Sequence, residues 1–155
     1  MTAMKWKDLH HRELSTSDLY QLLALRNQVF IVEQQCVYQD IDGADLLGNN
    51  RHLLGFIDGE LAAYSRLLVP EDQQQPLSIG RVSVAPFARG RQLGHQLLKQ
   101  TLLVCSLHYP ERSLYLSAQS HLQGFYAAQG FVVCTEPYSE DGIEHIGMEL
   151  QVAKQ

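Results

Sequence analysis

The sequence predicts an α/β fold, in which short apolar and β-branched runs alternate with longer stretches of helical periodicity. Two observations carry most of that expectation. The runs His52 to Ile57 and Leu61 to Val69 flank Asp58-Gly59, a dipeptide suited to the positive φ values of a tight hairpin turn, so they form an antiparallel pair. Downstream, the order is strand (Leu77 to Val84), long helix (Arg89 to His108), strand (Ser113 to Ala118) and short helix (from about His121 to Gln129).

Taken in order, Trp6 to Leu14 is the first strand. Ser15, with Asp18 three residues on, reads as a helix N-cap facing a carboxylate in the first turn. Leu19, Leu22, Leu23, Arg26, Val29 and Phe30 then recur at spacings of three and four, which turns that stripe inward and leaves Asp18 and Gln21 toward water. The polar, irregular segment from Glu33 to Asn50 is a loop or broken helix. Glu71 to Pro76 is a solvated, Gln-rich loop. Leu77 to Val84 is an interior strand stopped by Ala85-Pro86, because proline cannot continue the pairing. The following helix turns Leu93, Leu97, Leu98, Thr101, Leu102 and Cys105 to one side. Gly130 closes the short helix. Phe131 to Thr135 and Ile143 to Val152 supply two more strands, the latter entered through a turn at Asp141-Gly142.

A chain of 155 residues with 45% hydrophobic and 19% charged composition is sized for one compact domain. No stretch approaches the roughly 20 consecutive apolar residues of a membrane span, so no membrane partner is expected. Met1 to Glu13 lacks the apolar centre of a secretory signal, which points to the cytoplasm. Cys36, Cys105 and Cys134 are odd in number and widely spaced, as expected of reduced, mostly packed thiols. A formal charge of −5 argues against nucleic acid as a partner and permits a cationic substrate.

The informative segment is IGRVSVAPFARGRQLGHQLL, Ile79 to Leu98. A strand feeds a short loop and then the start of a long helix, which collects free N–H donors at the positive end of the helix dipole and suits a phosphate or pyrophosphate. Arg89 and Arg91 add cationic donors beside it. Taken alone, Gly90 and Gly94 are equally well read as allowing a turn and close packing. The segment resembles the acyl-CoA signature of the GNAT acetyltransferase superfamily, R/Q-x-x-G-x-G/A, here RGRQLG: Arg89 and Gly94 match, and Gln92 stands where glycine is usual. With a helical φ, Gln92 would still aim its N–H at an anion.

The resemblance implies a mixed, mostly antiparallel sheet of six or seven strands flanked by helices, with acetyl-CoA as acyl donor; no metal is expected, because the seven histidines lack helical i, i+4 pairing. The pyrophosphate would rest on Arg89, Gly90, Arg91, Gln92, Leu93, Gly94 and His95, and the pantetheine arm beside the backbone of Val82, Ser83 and Val84. Ser83 has no triad spacing and is not a nucleophile. A second matching block is YLSAQSHLQGFYAAQGF, Tyr115 to Phe131. Here the resemblance makes Tyr126 the donor that protonates the departing thiolate, for which a phenol of pKa about 10 is competent. On its own Tyr126 also reads as a half-buried aromatic. Gln119 and Ser120, at the strand-to-helix junction, bind the cofactor or cap the helix, with Ser120 the cap.

The blocks DLHHREL, VFIVEQQCVYQDIDGADLLGNNRH and EDGIEHIGME resemble the ElaA family in particular. Glu33, Asp40, Asp42 and Asp45 lie in a region that lines the acceptor cleft in this superfamily. Glu33 or Asp42 would hold an ammonium group or remove its proton, although Asp and Asn also simply make turns. His52 and His145 are further base or acceptor-contact candidates, with His145 on a hairpin that closes the cleft. The expected acceptor is a small-molecule amine or a peptide, and a homodimer is the default assembly. The rival readings are transfer of another acyl group or to an oxygen acceptor, and a noncatalytic CoA-binding regulatory module.

Overall fold

The computed structural model describes residues 4–152. Strand β1 (Met4–His10) pairs antiparallel with β2 (Arg51–Ile57) and sets Trp6 opposite Gly55. A Cβ on residue 55 would sit 2.5 Å from the indole, so only glycine lets Trp6 lie across this strand. β1 stops at His10, short of the expected Leu14: the His10 side chain accepts from the Arg12 N–H while Glu13 accepts from the His10 N–H at 2.9 Å, and these contacts close a single 3-10 turn over His11–Glu13.

Ser15 caps helix α1 (Thr16–Arg26) by accepting from the Asp18 N–H at 3.0 Å, as its position predicts. Asp18 departs from expectation. It is buried at 6% exposure, and Lys7 on β1 reaches its Oδ1 at 3.2 Å. A first-turn carboxylate is stabilised by the helix dipole as well as by this cation, which compensates its burial. α1 runs directly into a π-helical turn, Asn27–Glu33.

The β2–β3 hairpin turns at Asp58 and Gly59 with φ of 51° and 80°, and β3 (Glu60–Leu68) continues antiparallel to β4 (Leu77–Val84). Helix α2 (Leu93–His108) returns the chain to β5 (Leu114–Gln119), which a 3-10 turn, Ser120–Leu122, joins to α3 (Gln123–Ala127). β6 (Val132–Val133), β7 (Tyr138–Glu140) and β8 (Ile143–Leu150) complete the sheet, in the order β1-β2-β3-β4-β5-β8-β6, with β7 also on β8. The sheet thus has eight strands rather than six or seven. The added strand, β7, forms because positive φ at Asp141 and Gly142 folds the polar Tyr138–Glu140 back onto β8.

Alternation along the strands sends apolar residues to both faces. Leu54, Phe56 and Tyr64 meet Leu22, Leu25 and Val29 of the first helical segment, whereas Leu53, Ala63, Leu67, Leu116 and Met148 meet Leu97, Leu98 and Cys105 of α2. Thr101 donates to the Leu97 carbonyl at 2.8 Å and lies 2.8 Å from Ser65 Oγ, pinning α2 to β3.

Candidate active site

The site begins where two parallel strands separate. β4 pairs with β5 only through Leu77 to Ile79, opposite Leu114 to Leu116. Beyond Ile79, β4 keeps β3 on one side: Ser83 is paired with Tyr64, and the Ala85 N–H reaches the Ala62 carbonyl at 2.8 Å. Antiparallel alternation therefore turns the Val84 backbone groups the other way, into the gap. Val82 lines the cavity there. Ser83, expected with its neighbours to offer its backbone, faces β3 instead; its buried Oγ donates to the Arg81 carbonyl at 3.2 Å.

Past the turn at Pro86–Ala88, the chain enters the loop of the glycine signature. Gly90 has φ +84°, a value that requires the turning freedom of glycine. A Cβ on Gly94 would meet only the Phe125 ring, at 3.8 Å, so packing alone does not demand glycine there. Gln92 does not have the helical φ expected of it. It is left-handed at φ 56°, ψ 27°, because the chain must reverse before α2 can start at Leu93. No side chain caps α2, which leaves the N–H groups of Leu93, Gly94 and His95 for an incoming acceptor. Leu93 is buried and anchors the turn, while Arg91, Gln92 and His95 are exposed. Gln92→Gly is expected to raise stability by about 0.5–1 kcal/mol in urea denaturation, by releasing left-handed strain net of the extra chain entropy of glycine.

A cavity of about 420 Å³ continues from this gap and brings together residues far apart in sequence, among them Gly80, Arg81, Gln119, Tyr126 and His145. Tyr126 is 6% exposed, edge-on to Phe125 and Phe131 with ring centroids 5.0 and 6.2 Å away. Its hydroxyl makes no hydrogen bond among the described residues, and burial pushes its pKa up to about 12. His145 is 9% exposed and lies opposite Gln119 in the β5–β8 register. Its Nδ1 is 2.8 Å from the Ile143 carbonyl, a contact that only a donating N–H can make. In the neutral ring Nε2 then carries the lone pair, and it lies 3.4 Å from Glu140 Oε2. Ser120 does not cap: Gln119 precedes the 3-10 turn without a side-chain cap, and Ser120 Oγ is buried with no partner among the described residues.

The acidic block is arranged differently from an amine-binding patch. Asp40 takes Arg26 Nε at 2.9 Å and Arg81 Nε at 2.8 Å, Asp45 takes Arg26 Nη1 at 2.5 Å and Arg66 Nη1 at 3.0 Å, and Asp42 takes Arg66 Nη2 at 2.8 Å. Hydrogen bonds from Arg66, outweighing burial, hold the Asp42 carboxyl well below the usual carboxylate range, so it is a poor base. The clue in the sequence was Arg26, a cation inside an apolar stripe that required carboxylate partners. Glu33 receives Arg89 Nη1 and Nη2 at 2.6 and 2.7 Å, and these bonds lower its pKa. His52 uses both nitrogens internally, accepting from the Tyr64 hydroxyl at 2.6 Å and donating to the Asp45 carbonyl at 2.8 Å.

The family profile for the acetyltransferase (GNAT) domain matches residues 15–152. The chain belongs to the GNAT acetyltransferase family. Among GNAT proteins it is 54% identical to protein ElaA of Escherichia coli (strain K12) over 149 residues, 96% of this chain and 97% of that protein. The crystal structure of Escherichia coli ElaA superposes with a TM-score of 0.92 at 53% identity, covering 96% of this chain and 100% of that one. A Pseudomonas aeruginosa acyl-CoA N-acyltransferase does so with a TM-score of 0.92 at 47% identity, over 96% and 99% of the two chains. The mixed, mostly antiparallel sheet with a split between β4 and β5 is the GNAT fold of these relatives.

Proposed function

We propose that this GNAT protein is an acetyl-CoA-dependent N-acetyltransferase that delivers an acetyl group to a primary amine of a small molecule or peptide by direct attack. The observation that carries this reading is the convergence of Tyr126 and His145 on one cavity at the β4–β5 split. The residues present fit the donor. The uncapped start of α2, positive φ at Gly90 and Gln92, and the cationic Arg89 and Arg91 suit a pyrophosphate, while Val82, without a partner in the β3–β4 register, and the Val84 N–H suit an amide-bearing arm, the Val84 carbonyl being held by Arg89 Nε at 3.2 Å. Acetyl-CoA supplies a thioester carbonyl and a thiolate leaving group.

His145 Nε2 takes the first proton of the incoming ammonium, and the free amine nitrogen bonds to the carbonyl carbon. As the carbon–sulfur bond breaks, Tyr126 Oη donates to the developing thiolate, the nitrogen gives up its second proton to solvent to leave the amide, and the Tyr126 phenolate is reprotonated from solvent. With its pKa raised by burial, Tyr126 stays a neutral donor at all working pH values and releases its proton only as sulfur gains charge. No covalent acyl-enzyme is required, because holding both reactants in one cleft already removes much of the entropic barrier. The name of the Pseudomonas aeruginosa relative, an acyl-CoA N-acyltransferase, supports the same class.

Glu33 stands where an anion on Arg89 would have to compete with it. Glu33→Gln is therefore expected to tighten acetyl-CoA binding by about two- to fivefold, the scale of an exposed ion pair, and to leave kcat unchanged. A hundredfold loss of kcat would instead make Glu33 the base. The function itself is tested by titrating acetyl-CoA calorimetrically and then following thiol release against primary amines and basic peptides. Binding with amine-dependent release supports the proposal; binding without release favours a regulatory module.

A further inference from the structure

Charge around the cavity is unevenly compensated. Asp42 and Arg81, both on its lining, belong to a closed network in which Arg26, Arg66 and Arg81 meet Asp40, Asp42 and Asp45. Glu140 and Asp141, at the turn between β7 and β8, also line the cavity and have no Lys or Arg partner among the described residues. Ser117 Oγ lies 3.4 Å from Glu140 Oε2 and the Cys36 thiol lies 3.4 Å from the Asp141 carbonyl, so this turn is tied to β5 and to the loop that forms the opposite wall. The same cavity is lined by Tyr126, a residue more than nine-tenths buried whose hydroxyl makes no hydrogen bond among the described residues.

We propose that the acceptor is a small amine bearing a second positive group, and that Glu140 and Asp141 hold this second group while His145 deprotonates the reacting nitrogen. This rests on the N-acetyltransferase reading. Two carboxylates without a Lys or Arg partner among the described residues, on the wall of one concave site, create a negative potential that a single ammonium only half compensates. One cation is neutralised when its proton passes to His145, and Glu140, 3.4 Å from Nε2, then balances the imidazolium. The second cation keeps its charge and stays on the turn, which fixes how far the reacting nitrogen reaches toward the thioester. An acceptor carrying a carboxylate would meet like charge.

The test is calorimetric binding of 1,5-diaminopentane, 1-aminopentane and 5-aminopentanoate to the full chain, with and without saturating CoA. The proteins compared are the native chain, Glu140→Gln and Glu140→Gln/Asp141→Asn. The expected result is a diamine Kd at least about tenfold below that of the monoamine, the aminopentanoate weakest, and the preference lost in the double variant with its melting temperature and CoA affinity unchanged. Equal affinities, preference for the aminopentanoate, or a diamine preference that survives both substitutions would overturn it. Failure of CoA itself to bind would strike the donor reading, whereas the amine preference is read from binding without CoA as well.

Discussion

Replacing Tyr126 with phenylalanine is expected to lower kcat by roughly a hundredfold or more, the usual range for loss of a positioned proton donor, while the acetyl-CoA Kd stays within about twofold. The reasoning starts from what the hydroxyl does not do. It makes no hydrogen bond among the described residues, and the ring is held by edge contacts with Phe125 and Phe131 that phenylalanine reproduces. Removing it leaves no orphaned partner, so stability should change by less than about 0.5 kcal/mol. A purely structural Tyr126 would give the reverse pattern, with activity intact in Tyr126→Phe. The pH profile separates the two further. Because burial raises the phenol to about 12, the donor remains protonated throughout the measurable alkaline range. Activity of the native chain should therefore show no basic limb from this group near pH 10, where an unperturbed tyrosine would titrate.

The parts of this fold legible in the sequence are those set by local chemistry. Asp58-Gly59 announces a hairpin because the turn needs positive φ, Ser15 announces α1 because its oxygen replaces a missing helical acceptor, and the α2 stripe emerges from periodicity. β7 was not legible: Tyr138–Glu140 is short and polar, and it is a strand only because β8 lies beside it. The same division runs through the site. Tyr126, Gln119 and His145 do converge on one cavity, and a signature of glycine and arginine does sit at the start of α2. The partners of the acidic block were hidden, since Arg26, Arg66 and Arg81 lie on three different elements that only the folded sheet brings together. Gln92 misled because a glycine-free position reads as ordinary helix, whereas the loop imposes a left-handed residue whatever the side chain.

Those arginines account for the largest expected loss of stability. Arg26→Leu should cost about 3–5 kcal/mol in urea denaturation, much of the total stability of a domain this size. The guanidinium is fully buried, and it donates from Nε to Asp40 Oδ2 at 2.9 Å, from Nη1 to Asp45 Oδ1 at 2.5 Å and from Nη2 to the Asp40 carbonyl at 2.9 Å. Leucine fills much of the space but leaves two arginines to face three carboxylates, of which Asp40 and Asp45 are buried. Arg26→Lys should recover only part, because one ammonium cannot reproduce a planar fork that spans Asp40 and Asp45. The decisive comparison is Asp45→Asn. Burial alone would raise the Asp45 carboxyl, yet the bonds and charge of Arg26 and Arg66 prevail and lower it, so in the native chain the substitution destabilises. In the Arg26→Leu background the same substitution removes an excess buried charge and should stabilise. A lowered carboxyl also fixes the sign with pH: its contribution is complete above about pH 4 and is lost as pH falls through the lower folded value. His52, whose imidazole is kept neutral by burial, adds a loss that starts earlier, below about pH 6.5, where the unfolded chain binds a proton that the folded one refuses. Since the network anchors the loop that carries Gln34 and Tyr38 to the cavity wall, Arg26→Leu should also raise the KM for the acyl acceptor at temperatures where the variant remains folded.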